Sequence, residues 1–427
     1  MSSTVDIQEK PERAFLVGVQ AERATKAEAE SLLAELGGLA SSLGLEIAGT
    51  ALAKIRERNP ALLLGSGKAE DIIEAAKAAE ADSIVFDHQL SPVQQRNWEK
   101  QGGLKAYDRN ELIIRIFASR ARTKEAVLQV ELAQLEYSLP RLAHSYSELS
   151  RQRGGRYGTK GSGEQKIELD RREIEKRIHE IKDELKDVRK GREVLRARRD
   201  KASTRSAAIV GYTNSGKSTL LNALTSAEVL AEDKLFATLD PTTRRLRSSS
   251  GGSILLTDTV GFVRNLPHYL VEAFKATLEE AARADLLVIV ADASDPGLGA
   301  HLETTSKVLK EIGAGDRPSI LVLNKIDLAS DPAEAAALAS SHPGAVMASA
   351  KTGEGLDRVR AAIEEGLDAS SDEMRVRVPD ADYAIVALLH REASITEESH
   401  DGEATLIKAR VPERLRTRLE KYEIRGD

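Results

Sequence analysis

The stretch AAIVGYTNSGKSTLLNAL, residues 207–224, constrains the fold more than any other part of the chain. It spaces Gly211 and Gly216 five apart, follows Gly216 with Lys217 and Ser218, and lies between an apolar β run and a helical pattern. That is the context of a phosphate-binding P-loop. The spacing has a physical basis. Glycines let successive backbone N–H groups converge on phosphate oxygens. Lys217 supplies a point charge, the Ser218 hydroxyl reaches a divalent cation, and the helix N-terminus adds its dipole. Residues Gly211, Tyr212, Thr213, Asn214, Ser215, Gly216, Lys217, Ser218 and Thr219 are therefore expected around a nucleotide. A strand–loop–helix unit of this kind belongs in a layered α/β sheet. Apolar β runs at 205–212, 253–259, 285–293, 318–326 and 345–350, with helical patterns between them, predict a doubly wound, mostly parallel sheet.

Three further motifs follow in order. Asp258-Thr259-Val260-Gly261 closes the second β run. Asp258 is suited to hold Mg²⁺ through water, and Gly261 can turn its N–H toward a γ-phosphate. Asn324-Lys325-Ile326-Asp327 closes a later run. A carboxylate there matches the N1–H and N2–H₂ donor pair of guanine. Adenine would leave it desolvated and unpaired, so GTP is expected over ATP. Ser349-Ala350-Lys351 is expected to pack against the base. Between the P-loop and Asp258 lies KLFATLDPTTRR, a candidate switch segment, with Phe236, Ala237, Thr238, Leu239 and Asp240 expected near the nucleotide. Thr238, Thr242 and Thr243 are its candidate Mg²⁺ hydroxyls. Directly after Gly261 stands Phe262, where many such enzymes carry a glutamine that orients the attacking water. A phenyl ring accepts no such role. The ring is either core packing or the mark of an enzyme whose partner completes it.

The remaining sequence reads as three more parts. Residues 12–108 alternate strand and helix patterns, predicting a small α/β domain. Within it, Gly65-Ser66-Gly67-Lys68 imitates a P-loop but lacks the upstream glycine, so it reads as a turn feeding a helix. A second nucleotide site there is the alternative. His88 reads as a turn residue. From Asn110 to about Pro140 the pattern is one long helix, and a heptad stripe of Ile167, Ile174, Ile178, Ile181, Leu185, Val188 and Leu195 gives a second. Between them lies a stretch too rich in glycine to be helical, the tip of an expected antiparallel hairpin. Residues 368–374 read as a linker, followed by a small α+β tail. The expected boundaries are 1–109, 110–204, 205–368 and 369–427.

Charge sharpens this reading. The formal net charge is −6, which alone argues against nucleic-acid binding. Yet residues 141–165 carry five basic side chains against two acidic, and 166–201 carry fourteen against ten. The basic excess is thus gathered on the hairpin, whose tip reads either as a solvated charged loop or as an RNA surface; in the second reading Arg151, Arg153, Arg156 and Lys160 are the expected phosphate contacts and Tyr146 and Tyr157 are placed to stack on bases. The chain has no cysteine, which excludes disulfides, thiol catalysis and cysteine-based metal sites. The N-terminal residues lack an apolar signal core and no apolar run is long enough for a membrane span. A cytoplasmic protein without stable membrane insertion is expected, and a monomer.

The motifs GYTNSGKSTLLNAL, LFATLDPTTR, DTVGFVRNLP and NKID, together with SPVQQRN, DRNELIIRIFASRARTKEAVLQVELAQLEY and GGRYGTKGSGEQKIELDRR, resemble the HflX family of translation-factor-class GTPases. The resemblance covers nearly the whole chain, most weakly in the last fifty residues. It implies an N-terminal domain, a helical hairpin, a GTPase domain and a small C-terminal domain. It also implies binding of GTP and GDP with Mg²⁺, Thr238 as the Mg²⁺ ligand of the switch, association with the large ribosomal subunit and, in some members, splitting of stalled ribosomes. One departure is local. The family's GPGETQLE runs GSGEQKIE here, with Ser162, Gln165 and Lys166 substituted. Two other readings compete: a signalling GTPase whose hairpin grips another coiled coil, and an RNA-remodelling NTPase run from the N-terminal domain.

Overall fold

A computed structural model of the chain describes residues 11–22, 24–55, 59–145, 162–200, 205–225, 235–236, 239–248, 253–264, 278–328, 333, 337, 340–369 and 371–424. The described residues form three sheets, distributed over two compact units, one of the described residues up to 186 and the other of the described residues from 187 onward.

In the first unit, β1 (Arg13–Gln20), β2 (Glu46–Lys54), β3 (Ser83–Phe86) and β4 (Lys105–Asp108) form a parallel sheet of order β2-β1-β3-β4. Helices α1 (Lys26–Ser42), α2 (Ser66–Ala78) and α3 (Pro92–Gly102) connect the strands. Their starts are written in the sequence. Thr25 with Glu28 and Ser91 with Gln94 form reciprocal capping boxes, and Pro92 occupies the first turn where no N–H is needed. The core gathers on Trp98, fully buried, whose indole N–H donates to the Leu62 carbonyl at 2.9 Å. Gly65 is the N-cap of α2, and Lys68 lies 3.8 Å from Asp71, so GSGK opens a helix here.

Three expectations change. The predicted long helix is two helices, α4 (Arg109–Arg120) and α5 (Lys124–Ser145). Ala121 is extended, and the Thr123 hydroxyl accepts the Ala126 N–H at 3.2 Å, starting α5 anew. The helical stripe Leu112, Ile116, Ser119, Thr123, Ala126, Val130, Ala133 and Tyr137, in alternating steps of four and three, runs through this break; the polar Ser119 and Thr123 mark the interruption. Pro140 does not end α5 but lies inside it. The next helix, α6 (Ser162–Asp200), takes in Ser162 to Lys166 as well, so the glycine-rich stretch is helical at that end. Its ion pairs Arg177–Glu131, Lys182–Glu136 and Lys124–Glu184 join it to α5. The predicted basic tip, with Tyr146, Arg151, Arg153, Arg156, Tyr157 and Lys160, lies outside the described residues.

In the second unit, β5 (Ser206–Gly211), β6 (Thr242–Arg247), β7 (Ser253–Asp258), β8 (Leu286–Asp292), β9 (Ser319–Asn324) and β10 (Val346–Met347) form a sheet of order β10-β9-β8-β5-β7-β6. Only β6 is antiparallel. Helices α7 (Lys217–Thr225), α8 (Leu298–Glu311) and α9 (Leu356–Ala369) belong to this layer. The core of Ile209, Leu220, Leu256, Val288, Val322 and Ile363 is almost wholly buried, as near-continuous apolar strands require. Beyond α9 the predicted linker is absent. β11 (Ser371–Pro379) starts two residues after the helix ends, because its alternating Met374, Val376 and Val378 fill a second core. β11, β12 (Ser394–His400) and β13 (Ala404–Pro412) make an antiparallel sheet of order β11-β13-β12, packed with α10 (Tyr383–Glu392) and α11 (Glu413–Leu419). No helix among the described residues is long and apolar enough to cross a membrane.

Candidate functional site

β5 lies between β8 and β7, so the loop leaving its C-terminal end opens where neighbouring strands also end. Gly211 is at φ +148, and a Cβ there would sit 2.1 Å from the Val290 carbonyl oxygen. Only glycine lets the loop leave the strand so close to β8. Gly216 is at φ +88, and its missing side chain makes room for the Asn324 amide, since a Cβ would lie 2.3 Å from Nδ2. Asn214 also takes a positive φ, of 58°.

The later motifs converge on this loop. Asn324, 1% exposed, donates from Nδ2 to the Ser215 carbonyl at 2.8 Å and accepts the Ala350 N–H at 2.9 Å. One side chain thereby joins the P-loop to the Ser349-Ala350-Lys351 turn. The Ser349 hydroxyl donates to Asp327 at 2.6 Å, orienting a carboxylate that stays exposed in the short turn Ile326–Leu328. Lys325, held at φ +64, pairs with Asp292 at the end of β8 at 2.8 Å, and Lys351 is exposed. The arrangement offers an accepting carboxylate, a long aliphatic stem and a buried scaffold, which suits a planar base with adjacent N–H donors.

At the phosphate end, Lys217 is 6% exposed and its ammonium donates to the Tyr212 carbonyl at 2.6 Å. Burial pushes its pKa down to about 8; Asp258 opposes that shift and Lys325 adds to it. The Ser218 hydroxyl donates to the fully buried Asp258 carboxylate at 2.6 Å. These two hard oxygen donors side by side suit a small divalent cation. Thr259 turns its hydroxyl to the Ile209 carbonyl at 2.8 Å, and Val260 is buried. Their side chains therefore serve the core. Gly261 lies over the P-loop, since a Cβ would meet Thr213 Cα at 2.8 Å and the Lys217 ammonium at 2.9 Å.

Phe262 is 1% exposed. The ring packs in the core, so the Phe262 side chain takes no part in positioning water, and that role falls to another side chain or to a partner. Its backbone is the part that reaches the site: Phe262 N–H donates to the Gly211 carbonyl at 3.1 Å, and its carbonyl accepts the Thr213 N–H at 2.8 Å. In the switch segment Phe236 and Leu239 are buried, and Asp240 is half-buried. Ala237 and Thr238 lie outside the described residues. Thr242 and Thr243 begin the edge strand β6, where the Thr243 hydroxyl is 3.0 Å from that of Thr257.

Comparison with known proteins matches residues 206–325 to a family described as a 50S ribosome-binding GTPase. Residues 30–118 match one described as GTP-binding GTPase N-terminal, and 120–199 one described as GTP-binding GTPase Middle Region. The GTPase HflX of Akkermansia muciniphila is 46% identical, over 98% of this chain and 99% of that one. The chain belongs to the HflX family of GTPases. The HflX of Escherichia coli is 42% identical over 89% of each chain. A crystal structure of a GTP-binding protein from the archaeon Sulfolobus solfataricus in complex with GDP is 26% identical, covers 83% of this chain and 98% of that chain, and has a TM-score of 0.45. As an HflX-family member this chain is a P-loop GTPase that hydrolyses GTP to GDP and phosphate.

Sequence reasoning missed two features. Arg141 was counted with the basic tip, but it is half-buried at the far end of α5. It donates to Gln95 (2.7 Å), the Leu90 carbonyl (3.0 Å) and the fully buried Asp108 (3.3 Å). Tyr212 was placed in the P-loop for its backbone, yet its ring stacks on His301 at 3.8 Å. Neither signal is local in sequence.

Proposed function

We propose that this GTPase is a switch that binds the large ribosomal subunit and dissociates or recycles stalled ribosomes, with hydrolysis stimulated by the ribosome. The observation that carries the reading is the Asn324 link. It ties a guanine-matching carboxylate, through one buried side chain and the neighbouring turn, to a P-loop in a domain that matches 50S ribosome-binding GTPases. In this reading the GTP contacts are residues 211–219, 236–240, 258–261, 324–327 and 349–351. Mg²⁺ would be held by the hydroxyls of Ser218 and Thr238 and, through water, by Asp258; bound there it neutralises phosphate charge. Lys217 and the Gly261 amide bind the γ-phosphate, and Ser349 orients Asp327 toward the base.

The chain is read as four parts: an N-terminal α/β domain to 109, a helical hairpin at 110–204, the GTPase domain at 205–368 and a small α+β domain from 369. Arg151, Arg153, Arg156 and Lys160 at the hairpin tip are the proposed phosphate contacts to ribosomal RNA, and a cytoplasmic monomer is proposed. The test is sedimentation with purified large subunits. The chain should pellet with a non-hydrolysable GTP analogue and remain largely in the supernatant with GDP. Equal pelleting in both, or none in either, would defeat the reading.

A further inference from the structure

Phe262 and Val263 anchor this stretch of chain by burial, which leaves the question of what holds the residue beyond them. The residues after Gly261 run alongside the P-loop as a short parallel bridge between Tyr212 and Phe262. Two of its hydrogen bonds are the backbone pair already described. The third comes from a side chain: the Arg264 N–H donates to the Tyr212 hydroxyl at 2.8 Å. The phenol therefore bonds the chain two residues beyond Phe262, where the backbone pairing has ended.

The phenol is itself held. Tyr212 is 5% exposed, and its ring lies nearly parallel to the His301 imidazole, with 10° between the planes and 3.8 Å between centroids. His301 stands in the first turn of α8, with Nδ1 3.6 Å from an Asp295 carboxylate oxygen. Gly297 lets the preceding loop approach the imidazole edge, since a Cβ there would lie 3.3 Å from Cε1 and Nε2. A chain of contacts thus runs from α8 through His301 and Tyr212 to the Arg264 amide. At its far end Gly261 lies over Lys217.

We propose that Tyr212, backed by His301, is a positioning residue for GTP hydrolysis: it sets the register of residues 261–264 over the P-loop and so the place of the Gly261 amide at the γ-phosphate. The inference rests on the nucleotide-site reading above. GDP carries no γ-phosphate, and the Tyr212 ring and hydroxyl face His301 and the Arg264 N–H, so any contact of Tyr212 with GDP is through its backbone, which Tyr212→Phe keeps. The stack orients the phenol that makes the hydrogen bond, so removing the hydroxyl breaks that bond and removing the stack loosens it.

The test measures single-turnover GTP hydrolysis and the affinity of a fluorescent GDP analogue for Tyr212→Phe, His301→Ala, the double variant and His301→Phe. Tyr212→Phe keeps the stack and loses the hydroxyl. His301→Ala loses the stack. Each should slow hydrolysis by about tenfold, the worth of one well-placed hydrogen bond, with GDP affinity changed less than about twofold. The double variant should be no slower than the slower single, and His301→Phe, which restores a flat ring, should return most of the rate. An unchanged rate in Tyr212→Phe, or a rate loss matched by an equal loss of GDP affinity, would overturn the proposal. Wild-type chain that bound no GDP analogue would overturn the site reading and this inference with it, a failure seen before any variant is made.

Discussion

The Nδ2 of Asn324 donates to the carbonyl of Ser215 across 2.8 Å, where a glycine at 216 leaves room for it. One buried amide therefore joins the P-loop to the Ser349-Ala350-Lys351 turn. Asn324→Ala removes that bond and the one from Ala350. Nucleotide affinity should fall by about 2 kcal/mol, roughly thirtyfold. Gly216→Ala should do more, because it adds an atom against the same amide at a φ that side chains avoid. Titration with a fluorescent GDP analogue measures both, and an Asn324→Ala chain that binds as tightly as wild type would contradict the linkage.

The glutamine position invites a second prediction. Because the Phe262 ring is buried, Phe262→Gln places an amide in the core and not beside the reacting water. Basal turnover should not rise, and stability should drop by about 2–4 kcal/mol through the lost apolar burial and the buried amide. A rise in basal turnover of tenfold or more, with the fold intact, would mean that the side chain can reach the γ-phosphate.

Arg141 predicts a structural effect far from its supposed role. Its guanidinium lies 3.4 Å from the centre of the Tyr137 ring and bonds Asp108, whose carboxylate is fully buried. Arg141→Ala leaves that carboxylate without its cation and should cost about 3 kcal/mol. Arg141→Lys should recover little, since one ammonium cannot reproduce contacts to Gln95, Leu90 and Asp108 together. Hydrogen exchange in β4, α3 and α5 reads the loss. If Arg141→Ala changed only ribosome binding and left that exchange untouched, the residue would belong with the basic tip after all.

Asp87 gives the N-terminal sheet a pH dependence. Burial raises its pKa from 3.8 to about 6, against the Val19 N–H it accepts at 2.9 Å and the charge of Arg109. The folded chain thus binds this proton more tightly than the unfolded chain. Stability from this group is greatest below the unfolded pKa and falls as pH rises through the window from about 4 to 6, by at most about 3 kcal/mol. Asp108 and Glu111, both raised by burial, act in the same direction. Protection of the β1 and β3 amides, compared between pH 5 and pH 7 after correction for intrinsic exchange, should be higher at pH 5, and Asp87→Asn should shrink that difference. A difference unaltered in Asp87→Asn would assign it elsewhere.

The parts legible in the sequence were those whose signals are local. The P-loop glycines, the capped starts of α1 and α3, and the apolar runs of β5, β7, β8 and β9 each declare themselves within a few residues. What stayed hidden depends on distant partners. The break before α5 sits where a helical stripe continued through Ser119 and Thr123. β6 reads as a polar switch segment because an edge strand, with Arg244, Arg245 and Arg247 exposed, has no continuous apolar run. β4 is four residues long and shows only Ala106 and Tyr107 as apolar signals. Tyr212 and His301 meet only after β8 and α8 are in place. The motifs located the site, but contacts such as the Tyr212–His301 stack came from the topology.

The most direct measurement is GTP turnover by the full chain with and without purified large ribosomal subunits, at fixed Mg²⁺ and moderate salt. With a buried Phe262 where many GTPases carry a glutamine, turnover should be slow alone and rise by at least about tenfold on adding subunits, toward the range a partner-supplied group gives other GTPases. The same rate in both reactions would contradict it.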